Sequence, residues 1–346
     1  MQSTQHILLL RLSAMGDVAM TVPVLKALLD QYPLVEITVL SNPMLAPFFS
    51  DIPRCYFVPV YLKARHKGVV GLWRLYKELL NGKKIDAIAD LHNVLRTTIL
   101  RKYFLLSGIK NAVIDKGRAD KKKLTVRTHK KLVQLPTSHE RYASVFAQLG
   151  FPIDLSKATT HSNRKPSIQP FFDQLDTSKL LVGIAPFAQH AQKMLPLHQM
   201  KMLVAELASR KNLQLLFFGG SGAEATILEE WEQAYPGTLN IAGKYSFQQE
   251  LGILQQLKVM VSMDSANMHI ASIYGIPVVS IWGATHPFAG FYGWKQDPEN
   301  IVQLSLECRP CSVFGNKICY RGDFACMVGI NTEMVLQKLE PFLKTF

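Results

Sequence analysis

Two aspartates in this chain stand where an apolar run gives way to a short loop and then a helix. The first is Asp17, at the end of Ile7-Leu8-Leu9-Leu10-Arg11-Leu12-Ser13-Ala14-Met15-Gly16-Asp17. The second is Asp264, which with Ser265 follows the run Val259-Met260-Val261-Ser262-Met263. Ligands of open α/β sheets bind just outside the carboxyl ends of strands, where such loops lie. A carboxylate there can work on a substrate while the strand behind holds it still. Each aspartate also has a plain structural use, because Asp is a favoured helix N-cap. For Asp17, capping a helix that starts near Val18, the segment by itself leaves both uses open. At Asp264 the backbone N–H groups of the following helix can hold a phosphate while the carboxylate binds sugar hydroxyls.

Other segments add chemistry of the same kind. Phe218-Gly219-Gly220-Ser221-Gly222-Ala223-Glu224-Ala225 is a glycine-rich turn opening a helix, suited to the approach of phosphate or ribose. It fits the dinucleotide fingerprint loosely, but the acidic residue expected about 20 positions on is missing, since Leu239-Asn240-Ile241 stands there. That counts against a nicotinamide cofactor. Glu224, in the first helical turn, can accept from ribose hydroxyls or simply complement the helix dipole. Lys193 lies on a loop leaving the strand that ends at Ala185, where a cation can neutralise a departing pyrophosphate; alone it equally suits a solvated surface position. His269, a turn and a half into its helix, fits a structural histidine by position. Cys308, Cys311, Cys319 and Cys326 cluster near the C-terminus. Reduced thiols are the expectation there and a structural zinc the alternative, because only one pair has C-x-x-C spacing.

The elements that position these residues follow from hydrophobic patterning. Strand-length apolar runs over 6–12, 35–40, 56–60, 85–90 and 112–114 alternate with helical patterns over 17–31, 69–80, 94–106 and 139–149. A Ser-, Lys- and Pro-rich stretch over 154–177, with Pro166 and Pro170, reads as a linker. The alternation then restarts, with strands over 180–185, 213–218, 239–241, 259–263 and 277–282. Between and after them come helices over 197–209, 222–233, 247–256, 267–274 and 332–343. Repeated βα units predict two doubly wound, Rossmann-like α/β domains facing a central cleft. They are a basic N-terminal domain over 1–165 and a second over 166–330, with a closing helix in 331–346.

Composition narrows the function classes. Hydrophobic residues make up 48% and charged residues 19% of the 346, which describes a folded protein. No apolar stretch approaches the roughly 20 residues needed to span a bilayer, and the N-terminus lacks the features of a secretory signal. A cytoplasmic location is therefore expected. The net charge of +13 is lopsided, with 26 Lys and Arg against 11 Asp and Glu over 1–165, and 13 against 15 afterwards. The basic half suits a large anionic partner. Its densest run, Lys116 to Lys131, carries eight cations and one anion but no interleaved aromatics, which disfavours single-stranded nucleic acid. A flexible basic loop meeting phosphorylated lipid at a membrane surface fits better.

Taken together, these motifs resemble glycosyltransferase family 9, the heptosyltransferases that build the inner core of lipopolysaccharide. Arg11-Leu12-Ser13-Ala14-Met15-Gly16-Asp17-Val18, followed by Pro23, is similar to the family's opening motif. Asp264-Ser265-Ala266-Asn267-Met268-His269 resembles its D-[TS]-G-x-x-H motif. Gly275-Ile276-Pro277-Val278-Val279 and Trp282-Gly283-Ala284-Thr285-His286-Pro287 resemble the continuation. The resemblance implies a GT-B architecture and transfer of a heptose from a nucleotide sugar, typically ADP-heptose, with inversion, to an inner-core or lipid A-type acceptor. It implies Asp17 as general base, with Ser13 and Gly16 on the acceptor side. Lys193 would meet the diphosphate, Glu224 the ribose, and Asp264, Ser265, Ala266 and His269 the donor sugar and phosphate. Arg118, Lys121, Lys122 and Lys123 would meet an anionic glycolipid at the inner face of the cytoplasmic membrane, with the enzyme peripherally attached. No cofactor or catalytic metal is called for and no nucleic acid is expected. The alternatives are a transferase using another nucleotide sugar, or a nucleotide-sugar epimerase or hydrolase on the same scaffold. Ala266 stands where the family motif has Gly, and Met194-Leu195 where an aromatic often follows the lysine.

Overall fold

The computed structural model describes residues 4–160 and 174–344. The chain divides into two compact units, Met1–Lys116 with Pro136–Thr160 and Gly117–Leu135 with His161–Phe346. Pro166, Pro170 and the 165/166 boundary of the expected linker lie outside the described residues.

In the first unit β1 (Gln5–Leu10), β2 (Val35–Ser41), β3 (Cys55–Pro59), β4 (Ala87–Asp90) and β5 (Lys110–Val113) form one parallel sheet of order β3-β2-β1-β4-β5. Ile7 through Leu10 are fully buried, as a central strand covered on both faces requires. The helices are α1 (Met15–Ala19), α2 (Thr21–Gln31), α3 (Gly68–Leu80) and α4 (Leu95–Leu106); α5 (Arg118–Leu124) is counted with the second unit, and α6 (Ser138–Leu149) returns to the first. α6 begins at a capping box in which Thr137 Oγ1 accepts from the Glu140 N–H while the Thr137 N–H donates to Glu140 Oε2. It ends at Gly150, whose φ of 102° needs a residue without Cβ. The single helix expected over 17–31 is two. Pro23 has no N–H and its ring would meet the carbonyl four residues back, so α1 stops at Ala19 and α2 restarts with Pro23 in its first turn.

In the second unit β6 (Leu180–Ala185), β7 (Leu213–Phe217), β8 (Leu239–Asn240), β9 (Val259–Met263), β10 (Val278–Trp282) and β11 (Ile301–Gln303) form a parallel sheet of order β11-β10-β9-β6-β7-β8. Its helices are α7 (Leu197–Ala208), α8 (Ala223–Ala234), α9 (Phe247–Leu254), α10 (Ala266–Ile273), α11 (Ala325–Val328) and α12 (Thr332–Leu343). Val182, Ile184, Val259, Val261, Met263, Val279 and Ile281 belong to the sheet's share of its core, with Leu213, Leu215 and Phe217 from β7 and Val302 from β11, and Leu203, Leu207, Val335 and Leu339 pack against it from α7 and α12. Two parallel, doubly wound α/β sheets are thus present, and the fold is GT-B.

The basic run was expected as a flexible loop of the N-terminal half, and here the structure differs. Its first part is the helix α5, in which Leu124 joins a buried cluster with Leu135 and Ala289. The Lys121 ammonium sits 4.1 Å from the centroid of the Phe291 ring. These contacts tie Gly117–Leu135, with seven cations and one anion, to the second unit.

Candidate active site

Each sheet has a point where the strand order reverses, and there the loops at the carboxyl ends diverge and leave room for a ligand. In the first sheet this point lies between β1 and β4. The loop after β1 carries Arg11 to Ala14 and leads into α1 with Asp17 in its first turn, and the loop after β4 carries Leu91 to Asn93. In the second sheet it lies between β6 and β9. The loop after β6 carries Lys193, and the loop after β9 carries Asp264 and Ser265.

At the first point, helix α1 begins at Met15, so Asp17 is its third residue and not the cap expected for a helix starting near Val18. Its Oδ2 accepts from the Ala14 N–H at 3.3 Å and lies 2.6 Å from the Arg11 guanidinium. Arg11 is buried, and its other terminal nitrogen donates to the Leu91 carbonyl at 2.6 Å. Asp17 is about one third exposed (31%). The result is a carboxylate held by a buried cation with one side left to solvent. Tyr142 on α6, buried, donates to the Asp17 backbone carbonyl at 3.3 Å. His92 Nδ1 accepts from the Leu12 N–H at 3.3 Å. Burial, with the Arg11 charge next in importance, lowers the His92 pKa to about 4, so it is a neutral acceptor at physiological pH. Asp90, fully buried, accepts from the His92 and Asn93 N–H groups and so shapes that loop. Of the other residues named on this side, Ser13 is exposed and Gly16 is buried.

At the second point, Lys193 Nζ lies 3.0 Å from Asp264 Oδ2, with the pair largely buried. Thr285 Oγ1 donates to the same carboxylate oxygen at 2.8 Å. Ser265, at the cap position of α10, is 3.2 Å from Ser262 through their hydroxyls. The loop after β10 that carries Thr285 is pinned by Arg309, whose guanidinium donates to the carbonyls of Gly283, Leu304 and Thr285. Burial lowers the Arg309 pKa to about 10, which leaves it charged at neutral pH. The stem of Lys193 runs against Gly315, where an added Cβ would overlap Lys193 Cγ and Cδ. Glu224 stands on a different loop and accepts from the Gly220 N–H at 2.6 Å, which closes the glycine-rich turn. Ala266 is half-buried at the start of α10, and His269 is buried within that helix.

The structure therefore brings Lys193, Asp264 and Thr285 together, with Ser265 and Ala266 next to them. Arg118, Lys122 and Lys123 are exposed on α5, with Lys123 3.1 Å from Asp120, whereas Lys121 is held against Phe291. The sequence reading gave no separate role to Arg11, His92, Thr285 or Arg309. Arg11 and Thr285 stood inside motifs already quoted, but their partners lie 6 and 21 residues away, across a loop and a sheet. Among the described residues no three His, Cys, Asp or Glu side chains are grouped to hold a metal ion. Cys326 is drawn into the second unit's core on α11, and all five cysteines are free thiols.

Comparison with known proteins bears on this geometry. Residues 72–319 match the family described as glycosyltransferase family 9 (heptosyltransferase). A lipopolysaccharide core heptosyltransferase, OpsX, from Haemophilus influenzae is 26% identical over 292 residues, covering 83% of this chain and 81% of that one. Among solved structures, a family 9 glycosyltransferase from Veillonella parvula superposes with a TM-score of 0.74 at 18% identity, covering 99% and 98% of the two chains. The ADP-heptose lipopolysaccharide heptosyltransferase II of E. coli superposes with a TM-score of 0.67 at 18% identity, covering 98% of each chain.

Proposed function

This chain belongs to glycosyltransferase family 9, and from that premise we propose that it transfers a heptose from ADP-heptose, with inversion, to an inner-core acceptor of lipopolysaccharide. The observation that carries the reading is the Asp17 carboxylate, held 2.6 Å from the buried Arg11 at the carboxyl end of β1 and open to solvent on one side. An inverting transfer needs one base for the acceptor and stabilisation of the leaving group. Asp17 takes the proton of the acceptor hydroxyl as its oxygen forms the new bond to the anomeric carbon. The bond from that carbon to the diphosphate breaks, and ADP leaves with the electron pair. Lys193 and the N-terminal backbone amides of α10 neutralise the charge that builds on the diphosphate. Asp264, fixed by Thr285, orients Lys193 and binds sugar hydroxyls, with Ser265 beside it. Glu224 shapes the glycine-rich turn against the ribose. Arg118, Lys122 and Lys123, with Ser13 and Gly16, meet the anionic acceptor. The scheme calls for no cofactor or metal.

A lipid-borne acceptor implies that the enzyme works peripherally at the inner face of the cytoplasmic membrane. No helix among the described residues is long and apolar enough to cross a bilayer. The test is a transfer assay with ADP-heptose and a heptose-deficient lipopolysaccharide acceptor, preceded by a thermal-shift screen of nucleoside diphosphates. Stabilisation by ADP and a heptose gained by the acceptor are expected. Stabilisation by UDP or GDP alone would move the donor to another nucleotide sugar. Release of nucleotide with no sugar on the acceptor would replace the transferase with a hydrolase.

A further inference from the structure

Helix α3 lies on the surface of the first unit, yet its outer side is apolar. Leu72, Leu75, Tyr76 and Leu79 face inward and are buried. The opposite stripe carries Val69, Val70, Trp73 and, after Lys77, Leu80, all exposed. Val70 is 75% and Trp73 45% exposed. Spacings of three and four place these residues one above another along the helix. Trp73 meets Tyr103 on α4 edge to face at 5.1 Å, and Tyr76 Oη meets Ser107 Oγ at 2.5 Å, which locks the two helices side by side. Three residues after Tyr103, Leu106 is 86% exposed, and Leu105 beside it is exposed as well. Nothing in the fold of this unit needs these side chains outside.

The charges around this patch are mostly basic. Residues 61–84 and 95–110 hold eleven Lys and Arg and one acid, Glu78; Glu78 meets Arg65 and His66, while Lys83, Lys84 and Arg101 are met by Glu36, Asp86 and Asp90, and the balance stays positive. Lys77 Nζ lies 5.3 Å from the centroid of the Trp73 ring, a basic head beside an aromatic body. Apolar side chains with a tryptophan among them, ringed by cations and carried on a surface helix, match the layering of an anionic bilayer. Acyl chains lie beneath negative headgroups, tryptophan favours the boundary, and lysine and arginine reach outward to the phosphates.

We propose that the α3–α4 face docks the enzyme on an anionic phospholipid surface, with Val69, Val70, Trp73, Leu105 and Leu106 entering the headgroup boundary. The purpose of such docking rests on the reading that the acceptor is lipid-borne. It would hold the enzyme where that acceptor is concentrated, through a surface separate from Asp17.

Tryptophan fluorescence tests this directly. Of the four tryptophans, Trp231, Trp282 and Trp294 are 4%, 0% and 7% exposed, so an environmental change on vesicle addition reports Trp73. The full chain is titrated with acceptor-free vesicles of phosphatidylcholine, with and without phosphatidylglycerol. A blue shift and quenching by lipids brominated on the acyl chains are expected with the anionic vesicles only, and both weaken as salt rises. V70E and L106E should each weaken co-sedimentation with these vesicles by about tenfold, while transfer to a delipidated, water-soluble acceptor is unchanged. Co-sedimentation with Trp73 unmoved would place docking on another face and overturn the proposal. So would an absence of vesicle binding in a protein active on the soluble acceptor, an outcome that leaves the transferase reading intact. Concentration-dependent self-association abolished by V70E would make a second copy the occupant instead. Vesicle docking through Trp73 without heptose transfer would sink the transferase reading and leave the docking surface standing.

Discussion

Replacing Asp17 with asparagine separates the chemical role of this side chain from its structural one. The amide oxygen of the D17N side chain can still accept from the Ala14 N–H and from Arg11, so the loop keeps its hydrogen bonds and loses one negative charge. Arg11 also retains its 2.6 Å bond to the Leu91 carbonyl, which spares it from becoming an unsatisfied buried cation. Because Asp17 is about one third exposed (31%), the lost ion pair is screened and costs about 1 kcal/mol. For a unit of this size that lowers Tm by about 2–4 °C, far too little to unfold the enzyme at assay temperature. Loss of a general base, by contrast, lowers kcat by about 10²- to 10⁴-fold, equivalent to about 3–5 kcal/mol in the barrier. The assay is initial-rate release of ADP from ADP-heptose with acceptor present, alongside calorimetric binding of ADP and a thermal melt. The expected pattern is a collapsed kcat, an ADP Kd within twofold of the parent's, and a small drop in Tm. A D17N enzyme retaining kcat within about threefold, well short of the expected loss, would refute the base assignment. Parallel loss of ADP binding and of the cooperative melt would show that Asp17 holds the fold.

Two further substitutions test the second unit. Gly315→Ala puts a Cβ into the stem of Lys193 at a backbone φ of +77°. The strain costs about 1 kcal/mol, and the displaced ammonium should weaken ADP binding by about tenfold, the worth of one charge-assisted hydrogen bond; unchanged binding would remove Lys193 from the diphosphate. Glu250, on α9, has its pKa raised to about 7 by burial. Between its ordinary value and pH 7 the unfolded chain ionises while the folded one resists. Stability is therefore lost as pH rises through that window, and the penalty is complete above it. Glu250→Gln should accordingly raise the unfolding free energy by about 1–2 kcal/mol at pH 8, the shift being discounted for a half-buried carboxyl, and leave it unchanged at pH 4. An equal effect at both pH values, followed by urea melts, would mean that packing and not ionisation is responsible.

Much of this protein is legible in its order of residues, because each feature concerned is local. Short apolar runs, spaced by helix-period patterns, can be buried only as a parallel sheet covered on both faces, and among the described residues ten of the eleven strands fall on such runs, the three-residue β11 being the exception. The loops after β1 and β9 could be chosen for chemistry because an aspartate shortly beyond a strand end is visible in one dimension, and the loop after β6 because it carries Lys193. Pro23 already carried the break between α1 and α2 in its missing N–H, although a continuous helical period masked it.

What required three dimensions is every feature that depends on partners distant in the chain. Asp17 acquires its character from Arg11 and, behind it, from Leu91 at the end of a strand brought alongside only by the sheet order β1-β4. Lys193, Asp264 and Thr285 span 93 positions and meet at one oxygen. The basic run shows this most clearly. Between Arg118 and Leu124 the sequence offers Ala119 and Leu124 as its only apolar residues, too few to announce a packed helix. Leu124 meets Leu135 and Ala289, and Lys121 finds Phe291, only after the chain has folded. Sequence determined which residues are able to form sheet, turn and site. Tertiary structure decided which of them act together, because a charge or an apolar side chain is defined by what surrounds it and not by its neighbours along the backbone.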